Sequence, residues 1–279
     1  MKKQFRVILL VILGWMLSLA VLIPLYILVI NSFKTKYEVL ADTLGLPAVL
    51  SFDNFTEAIK KTNYFRAFGN SLLITVVSVI LIIICSSMAA WVLVRNKTRT
   101  SRIVFGMIIS AMVIPFQTIM IPMIQYYSKW RIAGFSILNS YYGIMFAYVG
   151  TGLSMSMFLY HGFIKGVPVE LEEAAIIDGC GSWKLFWRVV FPILKPITVT
   201  VAILNIIGIW NDYLMPSLFL RSPQFRTLPL STFYFIGQYT VSWNQAMAFL
   251  LLIIMPVVIF YIFAQKHVVK GVIGGAVKS

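Results

Sequence analysis

Few side chains in this sequence are equipped for chemistry, and their placement matters more than their number. Among 9 acids in 279 residues, only Asp212 falls inside a long apolar run. Three-to-four spacing puts Asn205, Gly208, Asp212 and Met215 on one helical face, with Trp210 and Asn211 beside it. An aromatic ring, amides and a carboxylate would suit the faces and hydroxyls of a sugar in a translocation path. The same set would also suit a helix-packing or gating cluster beneath a membrane surface. In either role Asp212 needs a partner or water, because a charge at a helix centre in lipid costs at least about 2.5–3.5 kcal/mol.

The remaining reactive types form no constellation. His161 and His267 stand singly at the ends of apolar runs, where an interfacial position accounts for them better than a proton relay. Cys85 lies within an apolar run and Cys180 in a polar connection, so neither a disulfide framework nor a metal-ligand spacing arises. No Gly-Lys pair occurs, which removes a phosphate-cradling P-loop. No catalytic residue, metal or cofactor is expected.

A second group is denser. The stretch Lys165–Pro196 contains Pro168-Val169-Glu170-Leu171-Glu172-Glu173-Ala174-Ala175-Ile176-Ile177-Asp178-Gly179. Pro168 suits a first helical turn, where its missing N–H is not needed, and Glu170, Glu172 and Glu173 then complement the helix dipole. Ala174 and Ala175 permit close approach of another surface, and Gly179 supplies the backbone freedom that ends a helix. The pattern predicts a short helix, a sharp turn and a second helix from about Ser182.

The elements that must hold these groups are set by composition. With 60% hydrophobic and 11% charged residues and a mean hydropathy of +0.90, the chain departs from the roughly 45–50% apolar and 25% charged of soluble domains. A helix needs about 20 apolar residues to cross a bilayer. Six runs meet that length: Val7–Ile30, Leu72–Val94, Ile103–Gln125, Ser140–Phe163, Ile197–Leu220 and Ala246–Gln265. The expectation is an all-α polytopic membrane protein, a single transmembrane domain over residues 1–279 with six helices. The apolar run after Lys2, Lys3 and Arg6 continues ten residues beyond Ser18-Leu19-Ala20, which favours a retained first helix over a cleaved signal. Pro115 and Pro122 are expected to kink the third run, and Gly143, Gly150 and Gly152 to let the fourth pack closely.

Orientation follows from Lys and Arg near the span ends. The loop Arg95–Arg102 carries four positive charges and no acid, which puts it and both termini in the cytoplasm. Asn31–Gly69 becomes an external element with a short helix over Asn54–Lys61. The net charge of +14 is scattered between apolar runs, so nucleic acid is not an expected partner.

Glu173-Ala174-Ala175, three residues, Gly179, nine residues, then Val189-Val190-Phe191-Pro192 resembles the EAA loop of permeases of ATP-binding-cassette importers, whose pattern is EAA-x3-G-x9-I-x-L-P. Val189 and Phe191 depart conservatively from it. Pro24 through Ser32-Phe33-Lys34-Thr35, Asn70-Ser71-Leu72, Trp210-Asn211-Asp212-Tyr213 and the terminal Gly274-Gly275-Ala276-Val277-Lys278 are similar to the smaller, maltose-type permease of carbohydrate importers. The resemblance covers nearly the whole chain. It implies a multi-pass protein of a bacterial cytoplasmic membrane that imports a sugar or oligosaccharide. The implied partners are a second homologous permease in a heterodimer, two ATPase subunits that hydrolyse the ATP, and an extracellular solute-binding protein. It assigns Glu173, Ala174, Ala175, Asp178, Gly179 and Pro192 to ATPase coupling, and the terminal tail to contact with the ATPases.

Two other classes compete. A secondary transporter or channel would need coupling residues within the bilayer, where one acid and no deep Lys or Arg is found. A membrane enzyme would need acids and histidines at a common depth, which the sequence lacks.

Overall fold

The computed structural model describes residues 2–132, 135–237 and 241–276, with side chains described for all of these except 2, 3, 5, 132, 135 and 266–276. The chain divides into two compact units, residues 1–67 with 231–256 and residues 68–230 with 257–279.

The first unit opens with α1 (Lys2–Ser32), which has Pro24 inside it. At 1.5 Å per residue it is about 46 Å long, and its large apolar side chains up to Tyr26 stay exposed, Trp15 at 69%. Its end is polar and buried. Asn31 donates to the Ile27 and Thr43 carbonyls at 2.7 and 2.8 Å, and the buried Lys34 ammonium donates to the Asp42 carbonyl at 2.6 Å. Thr35 and Glu38 then form a capping box that starts α2 (Lys36–Ala41). The expected external helix is α3 (Asp53–Thr62). Its Asn54 ties back to the Ser32 and Lys34 carbonyls and accepts from Asn244, in the first turn of α14 (Trp243–Ala276). Asn63, at φ 50°, turns the chain into α4 (Tyr64–Arg95).

In the second unit, Asn70 of α4 donates to the Gln224 and Arg226 carbonyls, and Ser71 accepts from Leu228 N–H. These bonds fix the segment before α13 (Leu228–Ser231). The run expected as one helix over Ile103–Gln125 is broken instead into α5 (Arg99–Ser110), a tight turn at Ala111–Val113 and α6 (Phe116–Lys129), bent by 106°. Pro115 is the cause. It has no N–H to continue the ladder and forces Ile114 into an extended conformation. Pro122 lies inside α6 without ending it.

A two-residue ladder, β1 (Arg131–Ile132) with β2 (Phe135–Ser136), precedes α7 (Tyr141–Lys165). Gly152 is a close helix-approach position as expected, whereas Gly143 is crowded by the segment just before its own helix. A Cβ would come within 2.6 Å of Ile82 at the first and 2.0 Å of the Ile137 carbonyl at the second. A Cβ at Gly150 would meet nothing within 4 Å among the described residues, so no neighbouring helix of this chain packs on it there.

The run expected as a helix over Ile197–Leu220 also divides. Helix α11 (Lys195–Asn211) ends where Asp212 turns extended, and α12 (Leu214–Phe219) begins anew. Continuation would require an N–H from Pro216 to the Asp212 carbonyl, and proline has none. The Asp212 carboxylate instead accepts from the N–H groups of Leu214 and Met215 at 2.8 and 3.4 Å. Asp212 and Met215 therefore do not share a helical face with Asn205 and Gly208. Among the described residues four helices are individually long and apolar enough to cross a membrane, and up to six spans result if each bent pair counts as one.

Candidate coupling loop and polar cleft

The stretch after α7 folds as a lever with one anchored side. Helix α8 (Glu170–Ile177) starts two residues after Pro168, so that proline precedes the first turn instead of occupying it. The three glutamates expected to serve the dipole alike divide. Glu170 and Glu173 are exposed, whereas Glu172 is turned inward and buried. Its carboxylate accepts from Arg95 Nη2 at 2.7 Å and Nε at 2.9 Å and from Trp91 Nε1 at 2.9 Å. Arg95 also donates to the Val167 carbonyl. A buried charge is tolerated when it is paired and its lone pairs are used, and these bonds fasten α8 to the end of α4. Sequence reasoning missed this pair. Its signal was an arginine closing an apolar run opposite a loop rich in acids.

The turn after α8 is a Schellman motif. Gly179 sits at φ +81°, its N–H bonds the Ile176 carbonyl at 2.9 Å, and Cys180 N–H bonds the Ala175 carbonyl at 3.0 Å. Next come α9 (Ser182–Leu185), a widened π turn at Phe186–Val190 and α10 (Phe191–Ile193). The π turn directly precedes Pro192, whose ring would crowd the Arg188 carbonyl in a regular turn. A bend of 78° at Leu194 leads into α11. Leu185, Phe186, Val190 and Leu194 pack with Ala90, Val94, Tyr160 and Ile164 in one buried cluster. The opposite side is bare. Glu173, Ala174, Asp178, Gly179 and Pro192 are exposed, while Ala175 packs against the cluster beneath. Ile177 and Trp183 are 85% and 66% exposed.

The polar groups of α11 meet α7 around a cavity of about 210 Å³ lined by Tyr148, Thr151, Gly152, Leu204, Asn205, Gly208 and Ile209. Asn205 donates to Ser156 Oγ at 3.0 Å and to the Val201 carbonyl at 2.8 Å. Tyr148 Oη donates to Asp212 Oδ2 at 2.9 Å. Of the four expected path residues, Asn205 lines the cavity and Asp212 is joined to it through Tyr148. Trp210 is buried edge-on against Phe68, and Asn211 is exposed and bonds the Ile207 carbonyl of its own helix. Tyr148 was not foreseen, although it is a hydroxyl two helical turns before Ser156 on α7.

His161 is buried and stacked on Phe105 at 3.6 Å; the side chain of His267 lies outside the described residues. Among the described residues no group of three His, Cys, Asp or Glu could hold a metal. Of the terminal tail, Gly274–Ala276 is described as backbone only, and Val277 and Lys278 lie outside the described residues.

The profile of the family described as "Binding-protein-dependent transport system inner membrane component" matches residues 82–274. The chain belongs to that family. It is a transport permease component of an inner membrane and not an enzyme. This permease is 47% identical over 100% of its length to 99% of the "Probable starch degradation products transport system permease protein AmyC" of Thermoanaerobacterium thermosulfurigenes. It is 35% identical over 99% of its length to 98% of the "Melibiose/raffinose/stachyose import permease protein MelC" of Bacillus subtilis. Its fold matches a chain of a bacterial ABC transporter involved in alginate import with a TM-score of 0.79, over 95% of this permease and 96% of that chain, at 21% identity.

Proposed function

We propose that this permease forms half of the translocation path of an ATP-driven importer in a bacterial cell membrane, and that its cargo is oligosaccharides released from starch. The 47% identity to a relative named for starch degradation products supports the cargo. The chain acts as one membrane domain of six spans with both termini cytoplasmic, the two bent pairs each making one span. A second homologous permease completes the pore, two ATPase subunits supply the hydrolysis, and an extracellular solute-binding protein delivers the sugar.

The observation that carries the reading is the two-sided construction of α8 to α10. One side is fastened by Glu172 and the Phe186 cluster; the other presents Glu173, Ala174, Asp178, Gly179 and Pro192 with exposed Ile177 and Trp183. An exposed apolar surface with a polar surround is what a docking protein covers, and the anchored side transmits its movement to α4 and α11. Asn205 lines the path, and Asp212 borders it through the bond it accepts from Tyr148. Proteoliposomes holding this permease with its cognate permease, ATPases and binding protein should take up labelled glucose oligomers only with ATP. The isolated chain should hydrolyse none. Uptake of galactosides but not of glucose oligomers would contradict the cargo, and hydrolysis by the isolated chain would contradict the division of labour.

A further inference from the structure

Beside the Arg95 anchor lies an open cavity of about 760 Å³ whose lining is basic. Arg95 and Lys97 reach it from the end of α4 and the loop after it, Arg102 from the first turn of α5, and Lys165 from the last turn of α7. No acid lines it. Arg95 is neutralised by Glu172, but Lys97, Arg102 and Lys165 make no ion pair among the described residues. Three cations gathered from separate elements repel one another, and an anion in the cavity relieves that repulsion. The N-terminus of α5 adds a partial positive charge in the same place.

The walls narrow the class of anion. Leu93 and Val94 of α4 and Phe105 of α5 form an apolar side. A free phosphate would gain nothing from such surface, whereas acyl chains would. We propose that the cavity binds the phosphate headgroup of an anionic phospholipid. This rests on the reading that α5 begins at a membrane surface. Basic pockets between membrane helices suit such headgroups, and each Lys or Arg near the surface is worth about fivefold in lipid affinity.

The test uses the permease–ATPase complex in nanodiscs of phosphatidylcholine containing phosphatidylglycerol, with bound lipid counted by native mass spectrometry after release. The wild-type complex should retain phosphatidylglycerol selectively. The variant Lys97→Gln/Arg102→Gln/Lys165→Gln should lose that selectivity by roughly a hundredfold. Should it fail to assemble, Ser101→Glu gives the same reading. It places an anion in the lining while completing a capping box with Thr98, and should likewise abolish selective retention. Unchanged selectivity in both variants overturns the proposal. So does displacement of the lipid by millimolar inorganic phosphate, which assigns the cavity to a soluble anion. Loss of the ATPase subunits with lipid retention unchanged also overturns it, by assigning the cations to an acidic protein surface. A wild-type complex that retains phosphatidylglycerol but transports no sugar supports this site and contradicts the transport function proposed above.

Discussion

The Glu172 carboxylate has a side chain 6% exposed and the Arg95 guanidinium one 21% exposed, at 2.7 Å. Removing one member of such a pair strands a charge out of water, which costs about 3–5 kcal/mol, whereas replacing both with apolar groups of similar volume is near neutral. Glu172→Gln should therefore lower the unfolding midpoint of the purified permease markedly, and Arg95→Met/Glu172→Leu should recover most of the loss. Equal destabilisation by the single and double changes would mean that the bonds, and not the stranded charge, carry the effect. At this scale the sequence shows which residue types are present but not which way they turn. Nothing in the spacing of Glu170, Glu172 and Glu173 says which one is buried, because the partner Arg95 lies 77 residues away. Tyr148 and Asp212, 64 residues apart, escaped for the same reason. Gly179 was legible because a positive φ is a local property of one residue.

Elements were legible where apolar length and local turn chemistry agree. Helices α3, α4, α7 and α14 follow from their runs, while the third and fifth runs hide breaks at Ile114 and Asp212 that a count of apolar residues passes over. The elbow between α1 and α3 is another product of local chemistry, and it carries a pH dependence. The backbone N–H of Thr35, then its hydroxyl, hold the Glu38 carboxyl below its ordinary value. Gly45 and Leu44 N–H groups do the same for Asp42. A depressed carboxylate contributes stability above its unfolded pKa, near 4, and the contribution is lost as pH falls through the lower folded value. Amides over residues 35–48 should thus be protected from hydrogen exchange at neutral pH and lose protection, after correction for intrinsic rate, below about pH 4. Glu38→Gln should flatten that profile. A pH-independent profile in the wild type would contradict this account of the elbow.

At the scale of the whole molecule α5 and α6 decide the span count. They hold 12 and 14 residues, or about 18 and 21 Å, so neither alone reaches across about 30 Å of hydrocarbon. A broken span puts Arg99 and Lys129 on opposite sides; a re-entrant loop puts them on the same side. We expect single cysteines at 99 and 129 to label from opposite faces, with 99 protected from an impermeant reagent in intact cells. Labelling of both from outside would reduce the span count and reverse the placement of the 95–102 loop. With that topology the most direct test of the account is the sugar moved per ATP hydrolysed when Gly179 is replaced. A Cβ at position 179 meets nothing within 4 Å in this chain, so the backbone at φ +81° is what a substitution strains. A β-branched residue there costs about 1–3 kcal/mol, enough to change a docking equilibrium about tenfold without unfolding the membrane helices. In proteoliposomes, Gly179→Val should assemble in the membrane yet show uptake reduced about tenfold relative to ATP hydrolysis, or reduced recruitment of the ATPases by a similar factor. Wild-type uptake, hydrolysis and recruitment together in that variant would contradict the claim that this loop couples the ATPases to the pore.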